Sequence, residues 1–109
     1  MDLTKSQKKK VRELIDIGLY RDYTDGIKQV RELVSKFVEG QSDPREFYFR
    51  LYEMVKVRDK QIARRYNNLT GSYYLVTLIS LVHDKIVKTE ELVILDDELR
   101  NYILSWVSR

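Results

Sequence analysis

The 109-residue chain has no cysteine, one histidine, one proline and four glycines. The lack of cysteine excludes disulfides, zinc sites built from thiolates and a cysteine nucleophile. A single histidine leaves little room for imidazole acid–base chemistry or metal binding. The sequence also contains no glycine-rich phosphate loop and no HExxH motif. We therefore expect a protein that is not an enzyme, that has no catalytic or metal site and that needs no cofactor.

The shortage of proline and glycine also means that few residues interrupt regular structure, and no segment alternates polar and apolar residues as a strand would. Apolar residues make up 43% of the chain and charged residues 34%, which is typical of a folded globular protein. We predict an all-α fold, a compact bundle of about five helices, in a single helical domain spanning residues 1–109. A chain of this length buries roughly two-thirds of its surface on folding, so it needs no disulfide or bound metal ion for stability.

Long apolar runs are missing as well. The longest, Tyr73–Val82, is interrupted by Thr77 and Ser80 and is shorter than the ~20 residues that span a bilayer. The lysines near the N-terminus precede no apolar segment of the kind found in signal peptides. These features predict a cytoplasmic protein with no membrane association.

The first three helices can be placed from their caps and apolar spacing. The first is predicted at about residues 4–19, capped by Thr4 or Ser6, and is followed by a turn at residues 20–25. A second is predicted at residues 25–39, and a third from the N-cap Asp43, with Pro44 in the first turn, to about Tyr66. The inward stripe of the second helix consists of Ile27, Val30, Leu33, Val34, Phe37 and Val38.

The segment at about residues 70–85 is apolar on nearly every side, which predicts a central helix buried all round. His83, near its end, is predicted to be a buried or half-buried structural residue. The tail, residues 89–107, forms either one helix or two helices joined near Asp96. The acidic residues around Asp96 lack the spacing and the glycine of a calcium loop, and a charge cluster at a helix N-terminus is the better interpretation.

Basic side chains form two clusters, and the net charge of the chain is +3. They suggest contact with an anion or with nucleic-acid phosphates, which requires charge but little exact geometry. The second cluster is followed by a predicted helix start, whose free N–H groups together with Arg64 and Arg65 would form an anion-binding corner. The residues of this hypothesis are Lys8, Lys9, Lys10, Arg12, Arg58, Lys60, Arg64, Arg65, Thr70, Gly71 and Ser72.

A protein interface is suggested by apolar residues beyond those that one core requires. Helix three and the tail each carry a second apolar stripe, which a partner chain would cover. The predicted interface residues are Phe49, Tyr52, Val93, Ile94, Leu104 and Val107.

Three functional hypotheses follow, and no motif of a known family is identified that would choose among them. The favoured one is a protein-interaction module, acting as a homo-oligomer or as a subunit of a complex with another protein. The alternative is a nucleic-acid-binding protein that contacts phosphates through residues 5–12 and 58–65. The third is a small-ligand or enzyme pocket lined by tyrosines and arginines, which a deep cavity reaching His83 or Arg58 would favour.

Overall fold

The computed structural model describes residues 1–40, 43–67, 69–70 and 73–108. Over these ranges the protein is all-α, as predicted, with four α-helices and one 3₁₀ helix and no strand. The α-helices are α1 (Lys5–Glu39), α2 (Pro44–Tyr66), α3 (Tyr73–His83) and α4 (Asp97–Val107), and the 3₁₀ helix (Thr89–Ile94) lies between the last two.

Local capping chemistry explains where three of these helices begin. The Thr4 hydroxyl accepts from the Gln7 amide N–H (3.1 Å), while Gln7 Oε1 accepts from the Thr4 N–H (2.9 Å), a reciprocal capping box. Asp43 caps α2 directly before Pro44, as predicted. Asp96 accepts from the Leu99 N–H at 2.9 Å and caps α4, so the two-helix interpretation of the tail is the observed one.

The turn predicted at residues 20–25 does not exist, because α1 continues through it to Glu39. Gly18 raised the expectation of a break, but a glycine inside a helix costs only about 1 kcal/mol. Tertiary contacts made by residues of the expected turn itself offset that cost. Arg21 forms a bidentate ion pair with Glu91 (2.6 and 2.7 Å) and donates to the Ile86 carbonyl at 2.8 Å.

The chain packs as two compact units, which we call unit 1 (Met1–Arg21 with Asn68–Arg109) and unit 2 (Asp22–Asn67). A single domain therefore stays a prediction. In unit 1, α3 packs against α4, and α4 against the 3₁₀ helix. The core of unit 1 contains side chains of every helix in it, including Leu14, Leu78, Leu92, Leu99 and Ile103, all essentially inaccessible to solvent.

Helix α3 is not buried on all sides, contrary to the prediction. Leu75, Leu78, Leu81 and Val82 are buried, but Tyr73 and Val76 share an exposed side of the helix. The helix ends in a Schellman motif, since the Ile86 N–H donates to the Leu81 carbonyl and Lys85 adopts a positive φ of 62°. This early end places His83 in solvent, with 69% of its side chain exposed, so the expected burial of His83 is wrong.

Three acidic side chains of the C-terminal segment form hydrogen bonds or ion pairs with other residues of unit 1. Glu91 pairs with Arg21, Asp96 accepts from the Gln7 side chain at 3.0 Å, and Asp97 pairs with Arg100. Within the described ranges, no group of three or more acidic, histidine or cysteine side chains could hold a metal ion. Of the helices described, none combines the length and the apolar composition needed to cross a bilayer.

The Arg21–Glu91 pair gives the stability of the protein a defined pH dependence. Chiefly because Arg21 donates two hydrogen bonds to it, the pKa of Glu91 falls from 4.5 to about 2. A lowered folded-state pKa means that the stabilisation is present above pH 4.5 and is lost as the pH falls toward 2. We expect Glu91→Gln to lower the free energy of unfolding by about 1 kcal/mol at pH 7, since the pair is partly exposed. The variant should also lose less stability than the wild type as the pH falls from 4.5 to 2.

Urea denaturation across this pH range measures the effect. The control is Glu90→Gln, which removes the same charge from an exposed neighbour. Equal acid sensitivity of the wild type and Glu91→Gln would contradict the assignment.

Candidate interaction surface

Unit 2 is an antiparallel helical hairpin built from residues 22–39 of α1 and the whole of α2. Two contacts, at different positions along the hairpin, show which residues of the two helices lie beside each other. The Phe37 and Phe47 rings stack with centroids 4.4 Å apart near the connection. Further along the hairpin, Gly26 lies so close to Arg58 that a Cβ there would stand 3.1 Å from Cγ of the arginine. Gly26 thus allows the two helices to approach each other.

The open end of the hairpin is held by a buried carboxylate, Asp22, which is only 6% exposed. Arg65 donates to both of its oxygens (3.1 and 3.0 Å), and the Tyr66 hydroxyl donates at 2.6 Å. Arg58 Nη1 lies 3.9 Å away, while Nη2 donates to Asp25 at 2.8 Å. A buried carboxylate needs several donors to offset its lost hydration, and α2 supplies them here.

Burial raises the pKa of the Tyr66 hydroxyl well above its usual value of 10, and the hydrogen bond to Asp22 adds to the shift. Tyr66 therefore keeps its proton and serves as a permanent donor. Asp22 was not identifiable as a buried residue from the sequence, because it fell in the expected turn. In a continuous helix, Asp22 lies on the same side as Gly18 and Gly26, which are four residues away in each direction. An acidic residue on a side lined by glycines, where another helix can approach closely, is the signal that could have identified Asp22 as buried.

One broad side of the hairpin is apolar and exposed. Ile27 is 69% exposed, Tyr52 56% and Val55 51%. Tyr23, Ile27, Val34 and Val38 recur at helical spacing along α1, and Tyr48, Tyr52 and Val55 do so along α2. These seven residues, all exposed, are called the apolar face below. The prediction that Ile27, Val34 and Val38 point into a core is therefore not met within this chain.

The opposite side of the hairpin is polar. On α1 it carries the exposed residues Asp25, Gln29, Glu32 and Lys36 at spacings of three and four. On α2 it carries Arg50, Gln61 and Arg64, with Val57 as an exposed apolar member. The hairpin as a whole is therefore amphipathic, with an apolar side that has no cover among the described residues.

A groove of about 210 Å³ runs between the two helices on the apolar side and is lined by Tyr23, Gly26, Ile27, Val30, Met54, Val55, Arg58, Asp59 and Ile62. This volume is below the ~300–1,000 Å³ of typical small-ligand pockets. Of its two charged lining residues, Arg58 and Asp59, the arginine is already bonded to Asp25. The groove is thus better suited to receive side chains of another helix than a small molecule.

A second depression, of about 540 Å³, lies in unit 1 beside His83, Lys85, Lys88, Glu90 and Val107. Its volume suits a ligand, and His83 Nδ1 lies 3.2 Å from Asp84 Oδ1. Both side chains are exposed, 69% and 40% respectively. Water screens charges in such a setting, whereas catalysis requires fixed dipoles in a dry site. The depression therefore gives little support to the small-ligand hypothesis.

The predicted anion-binding residues are distributed over both units. Lys8, Lys9, Lys10 and Arg12 are exposed in unit 1, and the Lys8 ammonium lies 6.0 Å from the centroid of the Tyr74 ring. Lys60 and Arg64 are exposed in unit 2, but Arg58 and Arg65 bind the carboxylates of Asp25 and Asp22. Thr70 is exposed, while Gly71 and Ser72 lie outside the described residues. The anion corner and the nucleic-acid hypothesis stay predictions.

The predicted interface residues also fall in two places. Tyr52 belongs to the apolar face, and Phe49 is exposed on the outer edge of α2. In unit 1, Val93 and Ile94 are exposed, while Leu104 and Val107 are half-buried. The exposure of the first four is what an interface requires, and their role in one stays a prediction.

Comparison of the chain with models of known protein families, with curated protein sequences and with solved structures found no match. Functional inference therefore depends on the physical properties of the surfaces described above.

Proposed function

We propose that this protein is a non-enzymatic interaction module that acts as a homodimer, with the apolar face of the hairpin as its interface. The observation that supports this proposal is the amphipathicity of the hairpin. Seven exposed apolar side chains lie on one side, and the other side is mainly charged and polar. Contiguous exposed apolar surface of this kind marks interaction sites in soluble proteins.

A second hairpin is the simplest cover for this face. Two amphipathic helical hairpins that pack through their apolar sides form a four-helix bundle, in which every apolar stripe is buried. Tyrosine suits such an interface because it combines a large contact area with a polar tip. Tyr23, Tyr48 and Tyr52 contribute that area here.

The test compares two valines of α2 that are equally exposed but lie on opposite sides of the hairpin. Val55, on the apolar face, is 51% exposed, and Val57 is 52% exposed. We expect the wild type to be a dimer by light scattering at micromolar concentration. Val55→Glu places an unpaired charge in the interface of each subunit and should raise the Kd at least ~100-fold. Val57→Glu, on the opposite side, should stay dimeric.

Circular dichroism serves as the folding control, and both variants are expected to remain helical. A wild type that is monomeric at all concentrations measured would contradict the proposal. So would a dimer that Val55→Glu and Val57→Glu weaken to the same extent.

A further inference from the structure

The apolar face has an approximate internal symmetry, which becomes visible when its residues are placed along each helix. On α1 the exposed members of the apolar face are Tyr23, Ile27, Val34 and Val38, separated by four, seven and four residues, while Val30 between them is half-buried in the groove. This spacing reads the same in both directions, and its midpoint lies between Val30 and Arg31. An antiparallel copy of α1 would therefore set Tyr23 opposite Val38 and Ile27 opposite Val34.

The corresponding side of α2 is symmetric to within one residue, with spacings of three, four, three and four residues from Arg45 to Asp59, and here the pattern includes charge. Arg45 stands near one end and Asp59 near the other, with Tyr52 midway and Tyr48 and Val55 between. Arg45 and Asp59 are both exposed. An antiparallel copy of α2 would set each Arg45 opposite an Asp59, each Tyr48 opposite a Val55, and Tyr52 opposite its own copy.

These two patterns are compatible with a single axis. The contacts Phe37–Phe47 and Gly26–Arg58 show that the midpoint on α1 lies beside residues 53–54 of α2. The midpoint on α2 is Tyr52, about one and a half residues away, or roughly 2 Å at 1.5 Å per residue. One two-fold axis perpendicular to the helices thus serves both patterns to within half a helical turn.

We infer that a second copy of this chain binds the apolar face about this axis, with α1 antiparallel to α1, α2 antiparallel to α2, and Tyr52 at the centre. This inference rests on the homodimer proposed above and specifies its geometry. A two-fold interface requires a surface complementary to itself, and the opposite charges of Arg45 and Asp59 meet that requirement. Arg31 lies beside the axis, opposite Val30 of the second copy, and its exposed side chain can turn into water at the flank of α1.

The absence of cysteine allows a direct test by single-cysteine cross-linking of the full chain. Tyr52→Cys is expected to cross-link to its own copy through a short bismaleimide. An equimolar mixture of Arg45→Cys and Asp59→Cys, which leaves Tyr52 intact, is expected to yield the mixed cross-linked dimer in excess over either self-linked dimer. Gln29→Cys, on the polar side, is the control and should give no cross-link at the same concentration.

Charge exchange supplies an independent readout. We expect Arg45→Glu and Asp59→Lys to raise the Kd about 3- to 30-fold each, since each disrupts two exposed pairs per dimer. The double variant should return to within a few-fold of the wild type.

The outcomes separate the inference from the proposal on which it rests. A wild-type dimer in which Tyr52→Cys and the Arg45→Cys plus Asp59→Cys mixture both fail to cross-link overturns the two-fold geometry and leaves the homodimer. A double charge variant that binds more weakly than either single variant also overturns the geometry. A monomeric wild type overturns both.

Discussion

Replacing Asp22 with alanine is expected to lower the free energy of unfolding by about 3–5 kcal/mol. The substitution removes the acceptor of Arg65 and of the Tyr66 hydroxyl at the open end of the hairpin. The Tyr66 hydroxyl is then left without its acceptor in a buried setting, and Arg65 loses a carboxylate that it binds through both oxygens. That loss exceeds the value of the pair itself. Urea denaturation followed by circular dichroism measures the change.

Two variants show whether burial is the cause. Asp25→Ala also removes an aspartate bonded to an arginine, but the side chain of Asp25 is 60% exposed. It should cost less than about 1 kcal/mol. Tyr66→Phe keeps the ring and removes only the hydroxyl, so a cost of about 1–2 kcal/mol is expected. If Asp22→Ala costs no more than Asp25→Ala, the buried cluster does not hold the hairpin together.

The second large effect is expected at Leu78, which is fully inaccessible to solvent in the core of unit 1. Leu78→Ala should lower the free energy of unfolding by about 2–5 kcal/mol, because it removes buried methyl groups and leaves a cavity. The matched control is Val76→Ala on the exposed side of the same helix, with an expected cost below about 1 kcal/mol. A cost below about 1 kcal/mol for Leu78→Ala would show that α3 does not organise this core.

Helix starts were predictable from sequence because capping is local. Thr4, Asp43 and Asp96 each satisfy backbone donors within three residues of their own position. The end of α2 was placed correctly at Tyr66 for a related reason, since the following asparagine serves as its C-cap.

The missed continuity of α1 and the misassigned arginines of α2 both involve partners that are distant in sequence. Residues 20–25 remain helical because Arg21 binds Glu91, 70 residues away, and Asp22 binds Arg65 and Tyr66, 43 and 44 residues away. Arg58 and Arg65 appeared to be part of a basic cluster because their neighbours in sequence are basic, yet their carboxylate partners lie on α1. Charge counted along the chain cannot show which side chains are already paired.

The candidate surface was predictable only in part. Tyr52 was identified because helix three carries more apolar residues than one stripe holds. Ile27, Val34 and Val38 were assigned to a core, because their spacing is the same whether a helix faces the core of its own chain or a partner. Periodicity reports that a helix has an apolar side, and it carries no information about what covers that side.

The sequence by itself determined the helical class, the caps and the apolar periodicity of each helix, because these depend on residues within one or two turns of one another. The length of α1 and the burial of Asp22 were decided only by tertiary structure. So was the separation of the hairpin into a polar and an apolar side. The physical reason is that burial and ion pairing are properties of surfaces that meet in space, and these surfaces come from segments far apart in the chain.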